Sequence, residues 1–282
     1  MNKKNIIIAP CGNKSYLYKD SWLKNSENRN FDICLLFYHD QINNPNIAED
    51  VDYFFHLKGF KYAMIHELLT VLKPDWINQY DYFYFLDDDI LIDTNSINQL
   101  FDLSRAFNSN ISCAALSADS FCSWPIFKQD SRSFLRFVGQ IEVMAPVFNA
   151  ETLKLVLPTF VENRSSWGLD AVWSKLLNYK KNKMIIFDSV IMKHTLPVGG
   201  GELYVKIGVN PHEEWMSVIE KYNAKKENFV EYGRLKYLSI DNSLSYKISN
   251  LISRELGTVK RKIIDYDLLS RVKNRLGLVN EK

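Results

Sequence analysis

Short apolar runs separated by polar turns set the pattern over residues 1–205. Ile6, Ile7, Ile8 and Ala9 follow Asn5 and end at Pro10-Cys11-Gly12. A β-branched run bounded by turn residues, with no polar alternation, predicts a strand covered on both faces. Residues 31–38 (FDICLLFY) repeat the pattern, 51–57 give a shorter version, and 82–86 (YFYFL) an aromatic one. Between them Phe60, Met64, Leu68 and Val71-Leu72 recur at spacings of three and four, the signature of one helix face, which Pro74 closes. Further strands are predicted at 111–116, 141–148 and 184–187. Further helices are predicted at 97–107, capped by Asn95 or Ser96, and at 151–157, 170–179 and 212–225. Strands and helices alternate, so the order predicts an α/β fold with a mainly parallel sheet flanked by helices. Strand patterns fade after residue 205, and helices are predicted at 245–256 and 260–276. The expected organisation is an α/β domain over 1–205 and a helical C-terminal region over 206–282.

Composition narrows the class. Hydrophobic residues are 46% and charged residues 24% of the 282, which excludes a disordered chain, and the sparse Gly (11) and Pro (8) exclude collagen-like repeats. A net charge of +2 gives no field of the kind that holds nucleic acid, so no nucleic-acid partner is expected. No apolar run approaches the ~18 residues of a membrane span. The apolar stretch after Met1-Asn2-Lys3-Lys4-Asn5 stops at Pro10, too short for a secretory signal, and the expected location is the cytoplasm. Cys11, Cys34, Cys113 and Cys122 show no CxxC spacing and read as reduced thiols. Residues 247–282 hold nine basic and four acidic residues, with Ile263, Ile264, Leu268, Leu269, Val272 and Leu276 between the basic ones. That amphipathic basic pattern suits packing on the chain's own domain or peripheral contact with the inner face of an anionic membrane.

The chemistry concentrates behind the aromatic strand. Asp87-Asp88-Asp89 follows YFYFL directly, and ligands of open α/β sheets bind beyond the carboxyl ends of strands. If strand geometry continues, Asp87 and Asp89 share a side. Two carboxylates so placed suit a hard cation, Mn2+ or Mg2+, that keeps positions open for phosphate oxygens. The competing reading is a solvated acidic turn that caps the next helix. Glu142 lies in an otherwise apolar run and needs a partner or an edge position. It is a candidate to bind an acceptor hydroxyl or to act as general base.

The run Tyr82 to Leu86 with Asp87-Asp88-Asp89 resembles the strand and DXD motif of GT-A-fold, nucleotide-sugar-dependent glycosyltransferases. Glu142-Val143-Met144-Ala145-Pro146-Val147-Phe148 and Trp167-Gly168-Leu169-Asp170 resemble, in this order, the E-x-M-A-P-V-F and W-G-x-D elements of a less characterised glycosyltransferase-like family. The resemblance spans about 1–205. It implies a GT-A-like catalytic domain in which Asp87 and Asp89 bind the metal with Asp88 in support, and His194 adds a ligand. It also implies Asp170 as general base, and a first loop at Pro10, Cys11 and Gly12 that lines the nucleoside pocket. Asp40 is a candidate for ribose or base, and Lys58 and Lys61 for phosphate; the plain alternatives are an exposed loop aspartate and surface lysines. Trp124, Trp167 and Trp173 are candidates for a sugar-stacking face or for the core.

The implied reaction transfers a sugar from a nucleotide-sugar donor, with UDP the expected nucleotide, to a glycan or lipid-linked glycan hydroxyl. Inversion is the expected outcome, and surface-polysaccharide biosynthesis the expected setting. Two other classes stay open: a HAD-like Mg2+-dependent phosphohydrolase, which shares a strand followed by D-x-D, and a non-catalytic nucleotide- or carbohydrate-binding protein.

Overall fold

The computed structural model describes residues 4–197, 208 and 210–237. Its strands are β1 (Asn5–Cys11), β2 (Phe31–Phe37), β3 (Tyr53–His56), β4 (Tyr82–Phe85), β5 (Ile90–Leu91), β6 (Ile111–Leu116), β7 (Ser133–Val138), β8 (Val147–Asn149), β9 (Met184–His194) and β10 (Glu231–Lys236). Its α-helices are α1 (Lys61–Glu67), α2 (Trp76–Gln79), α3 (Thr94–Ala106), α4 (Ala150–Val156), α5 (Leu169–Leu176) and α6 (Pro211–Tyr222). The strands form one sheet in the order β10-β7-β9-β6-β8-β4-β1-β2-β3, with β5 paired off this path to β9. The chain is thus an α/β fold with a mixed, mostly parallel sheet, as the alternation predicts.

The apolar runs sit where covering on both faces is needed. Central β1 pairs in parallel with β2 and β4, and its residues are buried apart from half-buried Pro10. Such a strand reads as a continuous hydrophobic run because no face meets water. β8 runs antiparallel to both β4 and β6 and lies between them. Its N-terminal end therefore abuts the C-terminal end of β4, and the Phe85 N–H donates to the Pro146 carbonyl at 3.0 Å. β9 runs parallel to β6 and ends at His194 on that same side of the sheet, where Ile90 of β5 pairs with His194.

Several expectations shift. The strand expected over 141–148 is a loop followed by the short β8, because the run enters between two occupied neighbours only at Val147. The cap of α3 is Asp93, whose side chain accepts from the Ser96 N–H at 2.9 Å, and not Asn95 or Ser96. The compact unit runs to Tyr237 and not to 205. Its extra segment is held by β10, antiparallel to β7, and by α6, which packs on α5. The predicted helices at 245–256 and 260–276, with their membrane contact, lie outside the described residues. Among the described residues no helix is long and apolar enough to cross a membrane. The cysteines are free, and Cys11, Cys34 and Cys113 are buried.

A buried ion pair fixes the β7–β9 half. Arg136 binds Asp188 through Nε and Nη2, both at 2.8 Å, and also donates to the Ile126 and Lys128 carbonyls. Breaking a buried pair leaves one charge uncompensated, at a cost of roughly 3–5 kcal/mol. Arg136→Met should therefore lower stability by about that amount in urea unfolding. The double variant Arg136→Met, Asp188→Leu should recover most of the loss.

Candidate active site

The acidic triplet sits in a turn between β4 and β5, not on a continuing strand, so its members reach three different partners. Asp87 Oδ1 meets Lys61 Nζ at 2.7 Å. Asp88 accepts from the Ser15 hydroxyl. Asp89 Oδ2 lies 3.1 Å from His194 Nε2, while the Asp89 carbonyl accepts from the Thr195 N–H and hydroxyl. Asp89 Oδ1 is buried and has no partner among the described residues.

Lys61, at the start of α1, is fully engaged. Besides Asp87 it donates to the Val143 carbonyl at 3.0 Å and the Met144 carbonyl at 2.6 Å, and the neighbouring Tyr62 hydroxyl donates to Val143 at 2.7 Å. An ammonium has three N–H donors, and all three have acceptors here. Lys61 therefore ties the triplet to the loop that carries Glu142, and it is neither a surface lysine nor a free phosphate contact. Burial lowers its pKa, and the charge of Asp87 opposes this.

His194 stands between two acceptors, with Nδ1 at 3.1 Å from the Phe121 carbonyl and Nε2 facing Asp89. Burial pulls its pKa down, but the hydrogen bond and charge of Asp89 outweigh burial and raise it. A neutral ring that donates from Nδ1 to the Phe121 carbonyl keeps its Nε2 lone pair on the Asp89 side.

Glu142 and Asp170 form the other side. Glu142 is pushed up to about 7, first by burial and then by the charge of Asp170, with His194 opposing. Its Oε2 is buried without a partner. Asp170 is pushed up to about 6 by burial, opposed by a hydrogen bond from Gln140 and by the Ala171 N–H at 2.9 Å. It lies in the first turn of α5, where free N–H groups favour a carboxylate. Gly168 precedes that turn at φ 86°, and a Cβ there would lie 2.5 Å from Trp215. The position needs glycine both for its backbone angle and for the close approach of the indole.

Both carboxyls line a cavity of about 100 Å3 with Ser123, Trp124, Gln140, Val143, Trp167, Gly168, Trp215 and Phe229. Trp124 and Trp167 thus face the cavity. Trp173 does not: it is wholly buried, packs on Phe148 at 5.0 Å and donates to the Thr159 hydroxyl. Trp215 and Phe229 were not foreseen. Trp215 lies in the helix predicted at 212–225, on a face with Val218, Ile219 and Tyr222 whose spacing reads as packing, and Phe229 comes from a polar stretch with no such spacing.

The remaining candidates lie apart or have other work. Pro10 and Cys11 belong to β1, not to a loop, and burial pushes the Cys11 thiol up to about 12. Gly12 follows, with its N–H donating to Ser15 Oγ at 2.8 Å, and a Cβ there would lie 2.5 Å from the Tyr38 hydroxyl. Gly12 and Ser15 thus bring the first loop up to Asp88, which is pushed up to about 6, chiefly by burial. Asp40 and Lys58 form an exposed ion pair with each other.

Among the described residues, no three His, Cys, Asp or Glu side chains form a ready cation cage. The chemistry of the donors nonetheless suits Mn2+ or Mg2+: carboxylates at Asp87 and Asp89, one with a buried unpartnered oxygen, and an imidazole beside them.

Comparison with known proteins adds a family. The profile described as "Protein of unknown function (DUF707)" matches residues 1–236, and the chain belongs to that family. No curated protein matches. Among solved structures, residues 1–349 of S. aureus TarS in complex with UDP-GlcNAc align with 78% of this chain and 65% of that one, at 11% identity and a TM-score of 0.49. A longer S. aureus TarS structure aligns with 78% of this chain and 43% of that one, at 11% identity and a TM-score of 0.46. A197 from STIV aligns with 68% of this chain and 86% of that one, at 12% identity and a TM-score of 0.38. The chain spans less than two thirds of the TarS chains it matches.

Two predictions follow from this geometry. Lys61→Met leaves Asp87 and two carbonyls without their donor. It should cost about 2 kcal/mol in denaturant unfolding, below the figure for a fully buried pair because Asp87 is partly exposed. Glu142, raised from 4.5 to about 7, is protonated in both folded and unfolded states below pH 4.5. Between those values the folded state alone holds the proton, so stability falls as pH rises, by up to roughly 3 kcal/mol above pH 7. Glu142→Gln should therefore be more stable than the parent at pH 8, with the gap closing by pH 4 in urea melts.

Proposed function

We propose that the chain is a metal-dependent glycosyltransferase acting on a nucleotide-sugar donor, with a glycan or lipid-linked glycan hydroxyl as acceptor. The observation that carries this is the meeting, beyond the end of β4, of the acidic triplet with a second pair of buried carboxyls, Glu142 and Asp170, that border a cavity. The ordered motif resemblance supports the same reading.

Asp87, Asp89 and His194 would hold Mn2+ or Mg2+. The ion would neutralise the donor diphosphate and favour its departure. Asp88, held by Ser15 beside Gly12, faces the first loop and orders the donor side. UDP is the first nucleotide to test.

On the acceptor side, Glu142 takes the hydroxyl proton. Its carboxylate has an oxygen without a partner, and a pKa of about 7 lets it be ionised before the reaction and hold the proton after it. Asp170 is held in place by hydrogen bonds from Gln140 and the Ala171 N–H and keeps acceptor capacity to orient the hydroxyl, and its charge raises the basicity of Glu142. Lys61 fixes the Glu142 loop against the triplet, so base and donor keep one spacing. If the diphosphate leaves from the triplet side while Glu142 deprotonates the acceptor, an in-line displacement would invert the anomeric centre.

Thermal unfolding with UDP, GDP, CMP and ADP, each with and without Mn2+, tests the donor half. One nucleotide at about a hundredfold over its Kd should raise the midpoint by roughly 5 °C or more, with metal only. Asp89→Asn should abolish the rise. Stabilisation that ignores both the metal and Asp89→Asn would sink the reading. In a transfer or donor-hydrolysis assay, Glu142→Gln should lower kcat by about 10²–10⁴ and leave nucleotide stabilisation intact.

A further inference from the structure

We infer that the cavity beside Glu142 and Asp170 binds a pyranose ring, and that Trp215 and Phe229 are residues that select it. Calling that ring the acceptor rests on the transferase reading; binding of the ring does not.

The size fits. A water needs roughly 10–15 Å3 of such volume, and the cavity offers about 100 Å3. That is on the order of seven to ten water-sized groups, the scale of one hexose.

The walls fit a sugar face. Trp124 and Phe229 stack at 4.4 Å and 28°, and Trp167 meets Trp215 edge-on at 6.0 Å. An aromatic face is electron-rich. The axial C–H groups of a pyranose carry slight positive charge and present a flat apolar patch to it. The ring's hydroxyls then point outward, toward Gln140, Glu142 and Asp170.

The unmade hydrogen bonds select among ligands. Among the described residues, two buried side-chain atoms of the cavity lining have no partner: Glu142 Oε2, an acceptor, and Trp215 Nε1, a donor. A buried polar group left unsatisfied carries its full desolvation penalty. Hydroxyls both donate and accept, so a polyol ring suits both atoms once it settles against them. An apolar ligand would leave both unmet. A phosphate would be repelled by the two carboxyls. A quaternary ammonium would suit the aromatic faces and the carboxyls, but it offers no acceptor to the indole N–H.

The test uses the full chain without nucleotide or metal. Saturation-transfer NMR and tryptophan fluorescence would follow the methyl glycosides of glucose, galactose and N-acetylglucosamine, with choline and adenosine alongside. At least one glycoside should bind with a Kd on the order of 1 mM. Trp215→Phe, which keeps a ring and removes the N–H, should weaken it about tenfold, as should Trp124→Leu. Melting curves, and metal-dependent nucleotide stabilisation where the parent shows it, would establish that both variants are folded. The inference is overturned if no glycoside binds, if binding survives both variants, or if choline or adenosine binds in place of the sugars. Nucleotide-and-metal stabilisation without glycoside binding would defeat this inference alone. Glycoside binding without any nucleotide effect would defeat the acceptor role and the transferase reading, and leave the sugar site standing.

Discussion

Crowded negative charge beyond β4 is the constraint on which the site depends. Asp87, Asp88, Asp89, Glu142 and Asp170 gather around one strand end, and several of them raise one another's pKa through like charge. Groups this close and this buried cannot all ionise cheaply. Among the described residues, the Lys61 ammonium meets the triplet directly at Asp87, and the His194 ring faces Asp89. Lys61 does more than neutralise. Because the same ammonium binds Asp87 and two carbonyls of the Glu142 loop, it converts an electrostatic need into a fixed spacing between the two acidic groups.

The sheet topology makes that meeting possible. Had β8 joined in parallel, its preceding loop would emerge at the far edge, away from the triplet. Because β8 is reversed between β4 and β6, the loop over 139–146 arrives at the C-terminal end of β4. β9 contributes in the opposite sense. It extends past its pairing with β6 until β5 clasps it, and this carries His194 from the sheet to Asp89. The turn at Gly168 closes the group by starting α5 with Asp170 in its first turn and leaving room for Trp215.

Much of this was legible in the sequence because burial and pattern coincide there. β4 is an unbroken apolar run, β1 and β2 are nearly so, interrupted by Asn5 and Asp32, and the triplet, Glu142 and Asp170 stand out as charged groups against apolar surroundings. Other parts lacked such contrast. β10 (EYGRLK) is an edge strand with charges along it, so neither alternation nor an apolar run marks it. β7 carries Arg136 inward, a polar residue that only the long-range Asp188 partner explains. The role of Lys61 depends on carbonyls more than eighty residues away, and no local spacing encodes that. Trp124 and Trp173 have the same composition signal and opposite fates, because one borders a cavity and the other fills the space between α5 and Phe148.

The same charge pattern bears on how a diphosphate would be received. A lysine or a helix N-terminus commonly neutralises phosphate, yet here Lys61 has every N–H engaged and Lys58 is paired with Asp40 out at the surface. A diphosphate approaching β4 would meet three carboxylates first. Two unit charges of like sign about 4 Å apart repel by about 4 kcal/mol at an intermediate effective dielectric. An anion therefore approaches this strand end favourably only with a cation between. Among the described residues Lys61 and Lys58 are thus already engaged, while one oxygen of Asp89 is buried with no partner.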